Sequence, residues 1–196
     1  SGKSTQVWKL AQYISKLNKF NHVVVTREPY KDRTIRRMLR NDKNPYSKAQ
    51  EIAELYVNDR KAHIKKIILP CLRRRMFVLT DRYSFSTFAY QWAQGLDLKD
   101  LVFMHRGLPI PDLIFIIDMP AEVAVKRMAG DKEKVMEQKF EKDTEFIRKL
   151  RANYLKLARL KKHRVVIIDG TKPAEEIFER QIKPEFDKIL TEMRRA

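Results

Sequence analysis

The chain has 196 residues with a single cysteine, which predicts one domain and excludes a disulfide-stapled scaffold. Lys and Arg number 42 against 25 Asp and Glu, and the resulting charge of +17 suggests an anionic partner, either a phosphorylated small molecule or a nucleic acid. No apolar run approaches the roughly 20 residues of a membrane span, so we expect no membrane association and a reducing, cytoplasmic compartment.

The first residues read as the end of the phosphate-binding pattern G-x-x-x-x-G-K-[ST], and they are Ser1, Gly2, Lys3, Ser4 and Thr5. In such a loop, backbone N–H groups surround the nucleotide phosphates, the Lys reaches the β- and γ-phosphates, and the last hydroxyl ligates Mg²⁺. The first Gly of the pattern and the strand leading into it are expected to precede Ser1. A helix over 5–17 and an apolar strand at 23–26 follow, as the motif requires.

The next elements alternate between helices and apolar strands. After a polar connection over 27–47 we expect a helix at 48–72, a buried strand at 76–80 and a helix at 84–95. A strand at 113–117 and a helix at 121–128 should follow. The chain should end with a helix of about 20 residues, a strand at 165–168 and a last helix from Pro173. Cys71 is predicted to be a buried thiol. Continuous apolar strands between helices predict a mainly parallel sheet that is covered on both faces.

In a sheet of this kind, ligands bind at the carboxyl ends of the strands. Asp81 lies at such an end, where enzymes with a phosphate loop place an acidic residue for Mg²⁺ or its water shell. We therefore predict that Ser4 and Asp81 hold the metal. Arg82 comes next, and its guanidinium is suited to hold a second phosphate group. The alternative is that Asp81 caps the next helix and pairs with Arg82.

Four segments of the chain resemble the thymidylate kinase family. They are Thr26–Pro29 (TREP), Leu55–His63 (LYVNDRKAH), Asp81–Gln91 (DRYSFSTFAYQ) and Gly107–Leu113 (GLPIPDL). The resemblance covers nearly the whole chain and implies one kinase domain over 1–196. The implied fold is a three-layer α/β/α sandwich of the P-loop kinase type with a mainly parallel sheet and a short helical lid at about 127–139. The implied reaction is transfer of the γ-phosphoryl group of ATP to dTMP, with Mg²⁺, by a homodimer.

The resemblance also assigns roles to individual residues. Lys3, Asp81, Arg82 and Glu28 take catalytic positions. The phosphate loop, together with Arg127, Lys132 and Lys139, is expected to bind ATP. The lid over 129–139 is expected to move and to close over the ATP phosphates.

The acceptor dTMP is assigned a second group of residues. Tyr56 stacks on thymine and Arg60 binds a base carbonyl, and their i,i+4 spacing does place them on one helix face. The pyrimidine edge and the deoxyribose are assigned to Ser86, Thr87 and Gln91, and the phosphate to Arg82 and Arg36. Tyr30 and Lys31 replace the usual glycine pair of the family and the loop is shorter, so Arg33 or Arg37 are alternatives to Arg36.

Other interpretations remain open at this point. Tyr56 could be a core residue and Arg60 a surface cation. The enzyme could phosphorylate another pyrimidine nucleotide or a deoxynucleoside. A nucleic-acid-binding P-loop ATPase would also explain the positive charge, but it predicts a basic strip with interleaved aromatic residues, which the sequence does not contain. Nucleic acid is therefore an unlikely partner.

Overall fold

The structure is a computed structural model that describes residues 2–129, 140, 143–160 and 163–195. The predicted site residues Ser1, Lys132 and Lys139 lie outside the described residues, as does most of the predicted lid.

The described chain contains two small parallel sheets, each of two strands. The strands are β1 (Val23–Arg27), β2 (Phe77–Asp81), β3 (Ile114–Asp118) and β4 (Val165–Asp169). β1 pairs with β2 so that Arg27 lies opposite Asp81, and β3 pairs with β4 so that Asp118 lies opposite Asp169. Most strand residues are half-buried, which corrects the prediction of a buried strand at 76–80. Each strand has a hydrogen-bonded neighbour on one side only within the described residues.

Helices occupy most of the remaining chain. They are α1 (Lys3–Leu17), α2 (Arg33–Asn41), α3 (Ala49–His63), α4 (Leu69–Arg73), α5 (Ser84–Ala93), α6 (Leu98–Met104), α7 (Ala121–Ala129), α8 (Thr144–Ala158), α9 (Ala174–Ile177) and α10 (Lys183–Arg195). One π-helical turn at Ile64–Ile68 joins α3 to α4, and another at Phe178–Ile182 joins α9 to α10. The predicted helix over 48–72 is confirmed, with this turn inside it. No helix in the described ranges is long and apolar enough to cross a membrane.

Two short helices depart from the sequence-based prediction. α2 lies inside the segment predicted to be a polar connection, where the Asp32 carboxylate caps it by accepting from the Ile35 N–H at 3.0 Å. α6 was not predicted at all, and Asp97 caps it by accepting from the Lys99 N–H at 2.6 Å. α6 has only seven residues, too few to show a helical period, and in α2 three apolar residues lie among six charged or polar ones. Cys71 is half-buried and not buried as predicted.

The core consists of two apolar clusters. One is built around α5 and α8 and includes Phe85, Phe88, Phe146 and Leu150. The other packs α1 against the carboxyl-terminal helices through residues such as Ile14 and Phe178. The first cluster supports α5, which begins three residues after the end of β2 and carries the DRY…AYQ segment into the site.

Candidate active site

The phosphate edge of the site is formed where α1 begins. Gly2 precedes the helix with a φ of 76°, a left-handed conformation that glycine adopts without strain, and its carbonyl accepts from the Gln6 N–H at 3.1 Å. Lys3 and Ser4 are therefore the first helical residues, where backbone N–H groups and the helix dipole favour an anion. This is the local geometry that the phosphate-loop prediction requires.

The two predicted metal ligands meet at this edge. The Ser4 hydroxyl donates to Asp81 Oδ2 at 2.8 Å, although the residues are 77 positions apart. Asp81 Oδ1 is buried and has no hydrogen-bond partner in the described part of the chain, which leaves a carboxylate oxygen available to a ligand. Mg²⁺ prefers oxygen ligands and commonly takes one or two from the protein, with water and substrate phosphates completing the shell. The Ser4–Asp81 pair fits such an ion.

A larger metal cluster is absent from the ranges that the structure describes, since no group of three or more His, Cys, Asp or Glu side chains is arranged to hold an ion.

Glu28 connects the phosphate edge to a buried charge network. Its backbone N–H donates to the Asp81 carbonyl at 3.1 Å, which ties the ends of β1 and β2 together. Glu28 is 3% exposed, and its carboxylate accepts from Arg60 Nε at 2.9 Å and from Arg60 Nη2 at 2.6 Å. His63 Nδ1 lies 3.2 Å from the other carboxylate oxygen. Glu28 thus neutralises a buried arginine, which gives it a structural task in addition to the predicted catalytic one.

Arg60 is the centre of this network and is only 1% exposed. Besides its two bonds to Glu28, it donates from Nη2 to the Thr87 hydroxyl at 3.0 Å and from Nη1 to His105 Nε2. Its guanidinium also lies 5.0 Å from the centre of the Tyr83 ring. All three guanidinium nitrogens are engaged by protein groups, which fix the orientation of Arg60. The interpretation of Arg60 as a surface cation is wrong.

The environment of Arg60 shifts the pKa values of its neighbours. Burial, assisted by the positive charge of Arg60, lowers the pKa of His105 from 6.5 to about 4. Burial raises the pKa of Tyr83 to about 12, although Arg60 acts in the opposite direction. The Tyr83 hydroxyl donates to the Pro109 carbonyl at 3.0 Å, which ties the start of α5 to the loop before β3. Both side chains are therefore neutral near neutral pH.

A cleft lies directly beside the network. It is lined by Glu28, Leu39, Tyr56, Arg60, Arg82, Ser86, Thr87, Tyr90, Gln91 and Phe140. The structure thus brings together every residue predicted to bind dTMP except Arg36, and it adds the predicted catalytic residue Glu28. Tyr56 is half-buried and packs against the first core cluster while it also lines the cleft, so its role in stacking on the base stays a prediction.

Arg82 joins this cleft to the phosphate edge. It follows Asp81 directly and has a φ of 76°, a left-handed conformation that costs a non-glycine residue about 1 kcal/mol or more. The Thr80 hydroxyl donates to the Arg82 carbonyl at 2.8 Å and holds the turn, while the guanidinium lies 5.4 Å from the centre of the Tyr90 ring. Backbone strain of this kind is concentrated at functional sites, and here it directs an arginine to the cleft wall.

Gln91 presents an unsatisfied acceptor in the cleft wall. Its side chain is 1% exposed, and its Nε2 donates to Gln94 Oε1 at 3.0 Å. Its own Oε1 is buried and has no partner within the described ranges. An unmet buried acceptor costs about 1–3 kcal/mol, so this oxygen is suited to receive an N–H from a ligand.

The three candidate arginines for the acceptor phosphate do not reach the cleft wall. Arg36 is exposed and donates to the Pro29 carbonyl at 3.4 Å, Arg37 lines a separate groove along α2, and Arg33 is exposed. The assignment of one of these three arginines to the acceptor phosphate therefore stays a prediction.

The loop before α2 is held by a residue that sequence reasoning missed. The Asp59 carboxylate accepts from three consecutive backbone N–H groups, with distances of 2.9 Å to Lys31 and 3.0 Å to Asp32 and a further bond to Tyr30. The Tyr30 ring stacks on His63 with 4.7 Å between centroids. These contacts attach the shortened Tyr30–Lys31 loop to α3, next to the network around Glu28.

Arg127 lies away from this cleft, at the end of β4. It donates from Nη1 to the Gly170 carbonyl at 2.6 Å and from Nη2 to the Thr171 carbonyl at 3.1 Å. Gly170 has no room for a side chain, because an added Cβ would lie 2.6 Å from Ile117 and 2.7 Å from Met119. The predicted role of Arg127 in binding ATP stays a prediction, and its observed contacts hold the loop after β4.

The α/β fold, the phosphate edge and the adjoining cleft define a P-loop nucleotide kinase. The family model described as thymidylate kinase matches residues 1–182. A thymidylate kinase of Carboxydothermus hydrogenoformans is 40% identical over 187 residues, which cover 91% of this chain and 88% of that protein. One of Sulfurihydrogenibium sp. is 39% identical over 190 residues, with 90% and 87% covered. The chain therefore belongs to the thymidylate kinase family.

A solved structure supports the same assignment at the level of the fold. The crystal structure of thymidylate kinase from Ehrlichia chaffeensis matches with a TM-score of 0.71 at 26% identity, over 96% of this chain and 92% of that one. The predicted fold class and family are both confirmed. Since the family uses ATP as phosphate donor, the predicted donor agrees with this membership.

Proposed function

We propose that this protein phosphorylates dTMP to dTDP with ATP as the donor. The observation that carries the proposal is the cleft itself, because six predicted acceptor residues line it directly beside the Ser4–Asp81 edge. Phosphoryl transfer is mainly a matter of positioning two substrates and neutralising charge, and the two parts of the site are suited to these tasks.

The phosphate edge would receive the triphosphate of ATP. Gly2 and the N-terminus of α1 offer backbone N–H groups, and Lys3 supplies a positive charge for the transferring group. Ser4 and Asp81 would hold Mg²⁺, which when bound neutralises charge on the β- and γ-phosphates. Arg82, between this edge and the cleft, would hold the phosphate of dTMP through its guanidinium fork.

The cleft would receive the nucleoside part of dTMP. Tyr56 presents an aromatic ring for stacking, and the Nη1 hydrogen of Arg60 that is not directed at His105 would donate to a base carbonyl. The unpaired Oε1 of Gln91 suits the single ring N–H of thymine. Ser86 and Thr87 complete the polar wall, and the Ser86 hydroxyl is held at 3.1 Å by Tyr154.

A substrate panel tests the proposal. The protein is incubated with ATP and Mg²⁺ and with each nucleoside monophosphate or with thymidine, and the products are separated and quantified. We expect dTMP to give the largest kcat/KM and thymidine to give no product. Faster turnover of another monophosphate, or of thymidine, would contradict the proposal. The predicted homodimer and the cytoplasmic location stay predictions, and sedimentation of the purified protein would test the first.

A further inference from the structure

A buried histidine lies on the opposite side of Arg60 from Glu28. His105 follows α6 and is 8% exposed, with its ring packed edge-on against Phe88 at 4.7 Å between centroids. Its Nε2 contacts Arg60 Nη1, and its Nδ1 lies 2.6 Å from the Leu101 carbonyl oxygen. None of the motifs that carry the family resemblance includes this residue.

The partners of His105 determine its protonation. A carbonyl oxygen can only accept a hydrogen bond, so Nδ1 must carry the hydrogen that is donated to Leu101. A guanidinium can only donate, so Nε2 must be an unprotonated acceptor for Arg60. Both bonds are satisfied by one neutral tautomer. The low pKa of His105, which is caused by burial and by the charge of Arg60, agrees with this assignment.

A neutral acceptor is what this position requires. Glu28 already balances the charge of Arg60, so a second buried carboxylate would leave an uncompensated negative charge. Glu28 engages Nε and Nη2, and Thr87 also engages Nη2. Among these contacts within the described residues, only the one from His105 restrains Nη1.

We propose that His105 is a positioning residue for dTMP recognition, and that it holds the Arg60 guanidinium in the orientation in which it faces the base. The inference rests on the proposed function, because it assigns Arg60 to the acceptor. His105 does not contact the substrate and acts only through Arg60. A pre-organised donor does not have to be ordered when its ligand binds, which favours binding. Loss of His105 therefore weakens the binding of dTMP and leaves the binding of ATP unchanged.

A pair of amide variants tests this inference. The amide oxygen of His105→Gln reaches the place of Nε2, whereas that of His105→Asn reaches only the place of Nδ1. We expect His105→Asn to raise the KM for dTMP about 10-fold and the KM for ATP less than about 2-fold, with His105→Gln close to wild type. Thermal unfolding of all variants verifies that they are folded at the assay temperature.

The same measurements in an Arg60→Ala background show whether His105 acts through Arg60. In that background, His105→Asn should raise the KM for dTMP by less than about a further 2-fold, because the side chain that His105 positions is gone. Equal effects on both substrates, equal behaviour of the Gln and Asn variants, or a full additional effect in the Arg60→Ala background would each overturn the inference. A wild-type protein that turns over other monophosphates but not dTMP would instead show that the proposed function is wrong, and the inference would fall with it.

Discussion

The phosphate edge and the acceptor cleft of this protein are built in different ways. At the phosphate edge, Ser4 is exposed and its hydroxyl donates a hydrogen bond to Asp81. At the cleft, Arg60 is almost fully buried and bonds to Glu28 just after β1, to Thr87 in α5 and to His105 just after α6. At the edge, the polar groups of the protein would find their remaining partners in the substrate phosphates and a metal. At the cleft, the protein itself holds the Arg60 donor in place. This difference implies that charge chemistry and acceptor selection can be altered separately.

The largest effect is expected at the phosphate edge. Lys3→Ala should lower kcat by about 10²–10³-fold or more, because a positive charge on the transferring group stabilises the transition state. The unfolding temperature should remain close to that of wild type. Lys16→Ala, in the last turn of the same helix, is the matched control and should have wild-type kinetics. Wild-type turnover by a folded Lys3→Ala protein would contradict the assigned mechanism.

The second prediction concerns the metal. Asp81→Asn keeps the size of the side chain but removes the charge, so we expect about 10²-fold lower activity and a higher Mg²⁺ concentration for half-maximal rate. Removal of Mg²⁺ with EDTA should abolish turnover of the wild type. Asp112→Asn, an exposed carboxylate before β3, is the control. An unchanged Mg²⁺ dependence in Asp81→Asn would show that Asp81 is not a metal ligand.

The third prediction concerns the cleft. Arg60→Ala leaves Glu28 buried without its partner, so the free energy of unfolding should fall by about 3–5 kcal/mol. In the protein that remains folded, the KM for dTMP should rise by about 10-fold or more, while the KM for ATP changes little. Lys61→Ala, the exposed neighbour on α3, should change neither quantity. An equal rise in both KM values would mean that Arg60 is structural only.

The smallest effect is a pH dependence of stability. The pKa of His105 is about 4 in the folded protein against an ordinary 6.5, so the unfolded chain takes up this proton first as the pH falls. The contribution of neutral His105 to the free energy of unfolding is fully present above about pH 6.5. This contribution is lost as the pH falls towards 4, which lowers the free energy of unfolding by up to about 3 kcal/mol. Arg60 in contact and Lys61 nearby are the charges that lower this pKa.

His105→Gln removes that titration but keeps the acceptor. Its free energy of unfolding should therefore decrease less than that of wild type over the same pH range, measured by urea denaturation at each pH. Carboxylates elsewhere titrate equally in both proteins and cancel in the difference. Parallel curves would show that His105 is not held neutral by the fold.

The sequence predicted the phosphate edge better than the network. Gly2, Lys3 and Ser4 are read from a short motif because consecutive residues supply the backbone N–H groups, the positive charge and the hydroxyl that the chemistry needs. Asp81 and Arg82 could be placed because parallel strands bring their carboxyl ends to one edge. The family resemblance added Tyr56, Arg60 and Gln91, and all of them line the cleft.

Other features could not be predicted, for identifiable reasons. His105 depends on α6, a helix of only seven residues, and its partner Arg60 is 45 positions away in the chain. Asp59 and Tyr30 act through backbone N–H groups and a stacked ring, which leave no periodic signal. α2 could have been found from its cap at Asp32 and from apolar residues at Ile35, Met38 and Leu39, a spacing typical of a helix.

The division between edge and cleft is tested most directly by calorimetric titration of dTMP into the protein without ATP. Because the groups that orient Arg60 all belong to the protein, wild type should bind dTMP under these conditions. Lys3→Ala should bind it with an affinity within about 2-fold of wild type, and Arg60→Ala should bind it about 10-fold or more weakly. If dTMP binds only when ATP is present, or if both variants lose affinity equally, the cleft is not an independently pre-organised acceptor site and the account is wrong.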